Sequence, residues 1–129
     1  MSEDYKKVNP AGVVPFIVDG DFKLGESNAI LKYLADTYPA IPETLFPKDP
    51  KKRAIVDQFL EWNQYNLRTS ILPELHAKVG KNMRGGDYPE DLQLKHKHMR
   101  EWALETLEKM LQQHPGDFIA GDDLTLADL

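Results

Sequence analysis

The chain has 129 residues, 41% of them hydrophobic, with a formal net charge of −5 and no cysteine, which allows a modest core. The acidic balance excludes a general nucleic-acid binder, because counterion release needs a cationic face and the short runs Lys6-Lys7 and Lys51-Lys52-Arg53 read as solvated. Without cysteine there is no disulfide frame, no thiolate nucleophile and no Cys-ligated metal, and no apolar stretch suggests a signal peptide or nears the roughly 20 residues that span a bilayer, so no membrane role is expected.

In chain order, Val13 to Val18 and Phe22 to Leu24 read as strands around the turn-rich Asp19-Gly20-Asp21, so the chain is expected to open with a β-hairpin. Pro15 is third in the first strand, where it cannot donate to a ladder. From Ser27, the residues Ile30, Leu31, Leu34, Ala35 and Tyr38 fall at helical spacing, and Pro39 closes the run. Ser27 stands at the expected N-cap, and a free helix N-terminus collects negative charge. Asn9-Pro10 through Val14-Pro15 and Glu26-Ser27 therefore read together as a docking site for a small acidic peptide. Pro39, Pro42, Pro47 and Pro50 crowd the next stretch, so the expected division is 1–38, a linker at 39–49, and 50–129.

Beyond Pro50 the pattern is helical. Ile55, Phe59, Trp62, Asn66 and Leu67 share a face, and Pro73 is expected to bend or end that helix. Across Arg84-Gly85-Gly86-Asp87-Tyr88-Pro89, a second helix carries the stripe Leu92, Met99, Trp102, Ala103, Leu107, Met110 and Leu111, read with Trp62 as core or subunit interface. His96 and His98 point to different helix faces, and His76 and His114 have no evident acid or nucleophile partner, so no metal site is expected. At the end, Thr125 and Asp128 form a capping box, with Leu124 and Leu129 as a hydrophobic staple, announcing a helix that does not follow. Two antiparallel strands and one helix cannot cover a sheet face alone, so both ends are expected to be cut.

Asn9-Pro10 with Val14-Pro15, Asp19-Gly20-Asp21-Phe22, Glu26-Ser27 with Ala29-Ile30 and Tyr33-Leu34, the Trp62 to Arg68 segment, and Gly121-Asp122 leading into Thr125-Leu126-Ala127-Asp128 follow one another at specific spacing. In this the chain resembles the cytosolic glutathione transferases, theta-like class, over nearly all its length. The resemblance implies an α+β N-terminal part, a partial thioredoxin-like domain, followed by an all-α helical domain: a glutathione transferase fold, incomplete. It implies glutathione as co-substrate, a small electrophile as second substrate, a role in detoxification, a homodimer when full length, and a cytoplasmic location.

The resemblance further implies a cis Val14–Pro15 bond that turns the Val14 backbone toward the cysteinyl unit of glutathione. Glu26 would take the α-ammonium of its γ-glutamyl end, and Ser27 the α-carboxylate. Arg68 and Tyr65 would border the cleft, Arg68 stabilising a thiolate or a carboxylate. Val13 departs from the Lys or Gln that many relatives use at the glycyl carboxylate. The residue that activates the glutathione thiol is expected before Met1, which leaves no catalytic residue in this chain and makes a non-catalytic protein-association module of the same fold the alternative reading.

Overall fold

A computed structural model of the chain describes residues 2–80 and 89–129. It opens on a helix, α1 (Glu3–Val8), rather than on the expected hairpin. Ser2 caps it, its hydroxyl accepting from the Tyr5 N–H at 3.3 Å, and acids in the first turn face bases in the last through Lys6–Glu3 (3.1 Å) and Lys7–Asp4 (2.7 Å). So short a helix is marginal by itself. Tertiary bonds from Tyr5, described below, hold it.

Strands β1 (Phe16–Asp19) and β2 (Phe22–Gly25) pair antiparallel, Phe16 opposite Gly25 and Asp19 opposite Phe22. The turn between them uses Gly20 at φ 59°, a value glycine adopts without steric cost. The first strand starts at Phe16, not at Val13. Pro15 has no N–H to give a ladder, and the Val13 carbonyl is already taken by side chains.

Helix α2 spans Ser27–Thr37, one residue out of phase with expectation: its N-cap is Glu26, and Ser27 is the first helical residue and caps nothing. The cause is the backbone of Glu26, whose positive φ turns the chain one residue early. Ile30 on this helix is buried, and Leu31 and Ala35 pack against a core of Phe46, Val56, Leu60 and Leu126. The proline-rich stretch holds a single 3₁₀ turn, Glu43–Leu45, and delivers Phe46 into that core.

Asp49 caps α3 (Pro50–Trp62), accepting from the N–H groups of Lys51 and Lys52 at 3.0 and 2.9 Å, with Pro50 at the first helical position where its missing N–H costs nothing. A π turn, Asn63–Leu67, then leads without a break into α4 (Arg68–Gly80). Pro73 lies inside α4 and does not end it; the proline removes one backbone bond from a helix that packs along its neighbour, and the departure from α geometry falls at the π turn instead.

Helix α5 (Glu90–Gln113) packs on α4 and on the π turn, and its Ala103 is fully buried. Trp102, at 54% exposed, and Leu92 face outward, so the expected stripe is not all core. The glycine-rich separation at Arg84 to Tyr88 lies outside the described residues. At the far end Thr125 and Asp128 form the capping box on a 3₁₀ turn, Leu126–Asp128. Its expected staple is open, Leu124 and Leu129 both being exposed.

The seam between α2 and α3 is polar and regular. Residues one turn apart on α2 meet α3 in antiparallel order: Asn28 Nδ2 donates to the Leu60 carbonyl (3.3 Å), Lys32 Nζ pairs with Asp57 Oδ1 (2.6 Å), and Asp36 Oδ1 pairs with Arg53 (2.8 Å). Arg53 also donates to the Pro47 carbonyl at 2.7 Å and stacks 4.0 Å from the Phe46 ring centre. The reading of Lys51-Lys52-Arg53 as a solvated run is corrected for Arg53.

Candidate functional site

Three segments meet at one groove: the loop into β1, the start of α2 and the π turn. Val13, Val14, Pro15, Glu26, Ser27, Gln64 and Arg68 line it, around a volume of about 110 Å³. That is well below the ~300–1,000 Å³ of an enclosed small-molecule pocket, so this is an open groove rather than an enclosing cavity.

The loop wall is held from below. Asn9, only 2% exposed, donates from Nδ2 to the Val13 carbonyl (2.6 Å) and to the Tyr5 hydroxyl (3.1 Å). The Tyr5 hydroxyl in turn donates to the same carbonyl at 2.8 Å, and Gly12, at φ 66°, donates its N–H to the Asn9 carbonyl at 3.0 Å. The Val14–Pro15 peptide is cis. With Val13 committed, Val14 is left 69% exposed, and neither its backbone N–H nor its C=O has a partner among the described residues. Such a pair is a docking edge for an extended peptide.

Glu26 forms the second wall at φ 66° and ψ 117°, a conformation that L-residues rarely adopt and that costs on the order of 1–3 kcal/mol. Its exposed carboxylate has no ion-pair partner among the described residues, and no side chain caps the first amides of α2. The half-buried Ser27 hydroxyl makes no hydrogen bond to a described residue. This corner therefore combines a carboxylate, a hydroxyl and uncapped helix amides, which suit an ammonium and a carboxylate side by side.

The third wall is the π turn. A π turn disrupts the regular carbonyl ladder, and here side chains make up the difference: Asn66 Nδ2 donates to the Trp62 carbonyl (3.0 Å), Thr69 Oγ1 to that of Tyr65 (2.7 Å), and Ser70 Oγ to that of Leu67 (2.7 Å). Gln64 and Arg68, four residues apart, reach the groove from this turn. Arg68 has no acid partner among the described residues, whereas Arg53 and Arg100 are paired with Asp36 and Glu74. One cation and one anion, each unpaired among the described residues, thus line the same groove.

Val14, Pro15, Glu26, Ser27 and Arg68 are brought together. Tyr65 is not among the lining residues and is 75% exposed. Gln64 was missed by sequence reasoning, although its position one helical turn before Arg68 is the signal that could have found it. A larger hollow of about 510 Å³ lies between α4 and α5, lined by Glu74, Glu90, Asp91, Leu94, Lys97 and Arg100, and within it Arg100 pairs with Glu74. Behind the hairpin, Asp19 accepts from the hydroxyls of Tyr33 (2.6 Å) and Tyr38 (3.2 Å), which pushes both phenols above their ordinary pKa, Tyr33 chiefly by the hydrogen bond and Tyr38 chiefly by the carboxylate's charge. Among the described residues no group of three His, Asp or Glu side chains could hold a metal, and no helix is long and apolar enough to cross a membrane.

Comparison with known proteins gives this geometry its relatives. The family description "Glutathione S-transferase, N-terminal domain" matches residues 1–44. Glutathione S-transferase theta-1 of Mus musculus is 39% identical across 100% of this chain and 53% of its own length. Among solved structures, human glutathione S-transferase T1-1 in its apo form aligns with a TM-score of 0.86 at 36% identity, over 98% of this chain and 53% of that one. Human glutathione transferase theta-2, solved in complex with glutathione and an unknown ligand, aligns with a TM-score of 0.85 at 34% identity, over 98% of this chain and 51% of that one. The chain spans about half the length of the curated relatives that it matches end to end.

Proposed function

From the premise that this chain belongs to the glutathione S-transferase family, in its theta-like class, we propose that the groove binds glutathione and that the whole protein joins the glutathione thiolate to small electrophiles. On this reading residues 1–38 carry the glutathione-binding part, 39–49 link it, and 50–129 form the helical part. The observation that carries the proposal is the Val14 backbone beside Pro15, unpaired among the described residues, opposite the start of α2 where the Glu26 carboxylate and the Ser27 hydroxyl also lack a partner among those residues. Val14 exchanges hydrogen bonds with the cysteinyl unit as an added strand would, Glu26 receives the α-ammonium, and Ser27 with the first amides of α2 receives the α-carboxylate.

These groups bind and orient. Conjugation itself needs the thiol as its thiolate, whose sulfur forms the new carbon–sulfur bond while the leaving group departs with its electron pair. Detoxifying conjugation, a homodimeric assembly and a cytoplasmic setting belong to the same proposal. Retention on immobilised glutathione tests it: Glu26→Ala weakens retention, and unchanged retention would remove Glu26 from the site.

A further inference from the structure

The far end of α2 from Glu26 opens on a hollow of its own. Its volume is about 390 Å³, inside the ~300–1,000 Å³ range of small-molecule sites, and it is lined by the last turn of α2 and by Pro39, Ile41, Pro42 and Phe46 beyond it. The charged side chains on its walls are already paired, Asp36 with Arg53 at 2.8 Å and Glu43 with Lys48 at 3.6 Å. What is left polar is backbone. The last carbonyls of an α-helix point along its axis, out of the C-terminal end. The Leu34 carbonyl takes the Tyr38 N–H and the Tyr38 carbonyl takes the Ile41 N–H, both at 3.0 Å. Between them, the carbonyls of Ala35, Asp36 and Thr37 have no hydrogen bond among the described residues. Pro39 is the cause at Ala35, because it stands four residues on and has no N–H to close that bond. Helix α2 also carries no basic residue in its last turn to meet the negative end of its dipole. Three acceptors at a negative helix end, beside proline, isoleucine and phenylalanine walls, match a group with three N–H donors, a positive charge and an apolar body.

We infer that this hollow is a second small-molecule site, which takes a primary ammonium carried on a short apolar body. The ammonium donates to the Ala35, Asp36 and Thr37 carbonyls, and the body lies against Pro39, Ile41 and Pro42. The inference does not rest on the glutathione reading, since the groove lies at the opposite end of α2.

Amide-resolved NMR titration of the 129-residue chain with three probes that share one body decides it. The probes are 2-phenylethylammonium, its N,N,N-trimethyl analogue, which keeps the charge and loses the N–H donors, and 2-phenylethanol, which keeps a donor and loses the charge. The primary ammonium gives saturable shifts at Thr37, Ile41 and Glu43 and binds about ten-fold more tightly than either analogue, the size of a few exposed charge-assisted contacts. Pro39→Ala returns an N–H to the Ala35 carbonyl, so it weakens the ammonium about five-fold and leaves the two analogues unchanged. Equal affinity for the trimethyl analogue or for the alcohol overturns the inference, as does a Pro39→Ala chain that binds the ammonium as well as the unaltered one. Shifts centred on Glu26 and Ser27 would put the ammonium in the groove and overturn it too. So would the absence of saturable shifts.

Discussion

The α2–α3 seam and the groove are built from the same kinds of residue, yet they treat them oppositely. In the seam every charge meets another: Lys32 with Asp57 and Glu61, Asp36 with Arg53. Along the groove the Glu26 carboxylate, the Arg68 guanidinium, the Ser27 hydroxyl and the Val14 backbone have no partner among the described residues, and Glu26 is held in a costly conformation as well. Paired polar groups mark what the fold uses for itself; unpaired ones held in place mark what it keeps for a ligand. Stability and binding should therefore separate by region.

The largest effect expected is on the seam side. Leu60 is 5% exposed, and its carbonyl takes the Asn28 side chain, so Leu60→Ala should lower the urea-unfolding free energy by about 2–5 kcal/mol. Glutathione affinity, measured where the variant is still folded, should be unchanged; a parallel loss would merge the two regions into one. Next comes Asn9→Ala, at the foundation of the groove. It leaves the Val13 carbonyl and the Tyr5 hydroxyl short of a buried partner, costing about 1–3 kcal/mol by the same assay, and here affinity should fall as well because Val14 loses its setting.

Glu26→Gly should move the two properties in opposite directions. Glycine removes the strain at φ 66° and should raise stability by about 1 kcal/mol or less after its greater unfolded-state entropy is set against that relief, while glutathione affinity drops. A stability loss in this variant would show that Glu26 serves the fold. The smallest effect expected is at Asp19. Because Asp19 raises the pKa of both Tyr33 and Tyr38, the folded state holds those phenolic protons more tightly than the unfolded chain, so the contribution is complete below the ordinary tyrosine pKa and is lost as pH rises through the raised values. Asp19→Asn should shift the alkaline tyrosinate absorbance of the folded protein to lower pH and leave glutathione binding alone.

Legibility in the sequence follows the same division. The hairpin turn at Gly20, the apolar face of α2, the cap at Thr125 and the groove residues Val14, Pro15, Glu26 and Ser27 could be named beforehand, because each is a local pattern or a short motif with its own spacing, whereas Arg68 was named only through the family resemblance. Helix α1 could not, since its six residues have no apolar period and it stands on the Tyr5 and Asn9 bonds to Val13. Arg53 looked like one of a solvated triplet because its partner, Asp36, lies on another helix and Phe46 on the connecting stretch. The one-residue error at the start of α2 arose because Ser is the better N-cap in general, while only the three-dimensional chain reveals that Glu26 carries the positive φ. Pro73 was given the bend that belongs to Asn63–Leu67, where Asn66, Thr69 and Ser70 supply the bonds that let a π turn persist.

The most direct test of the central claim is an amide-resolved NMR titration of the isotope-labelled chain with glutathione. The account predicts saturable shifts at the Val14, Glu26 and Ser27 amides, with Lys32 and Asp57 in the seam unmoved. Shifts absent from Val14 and Ser27, or centred on the seam or on the α4–α5 hollow, would contradict it.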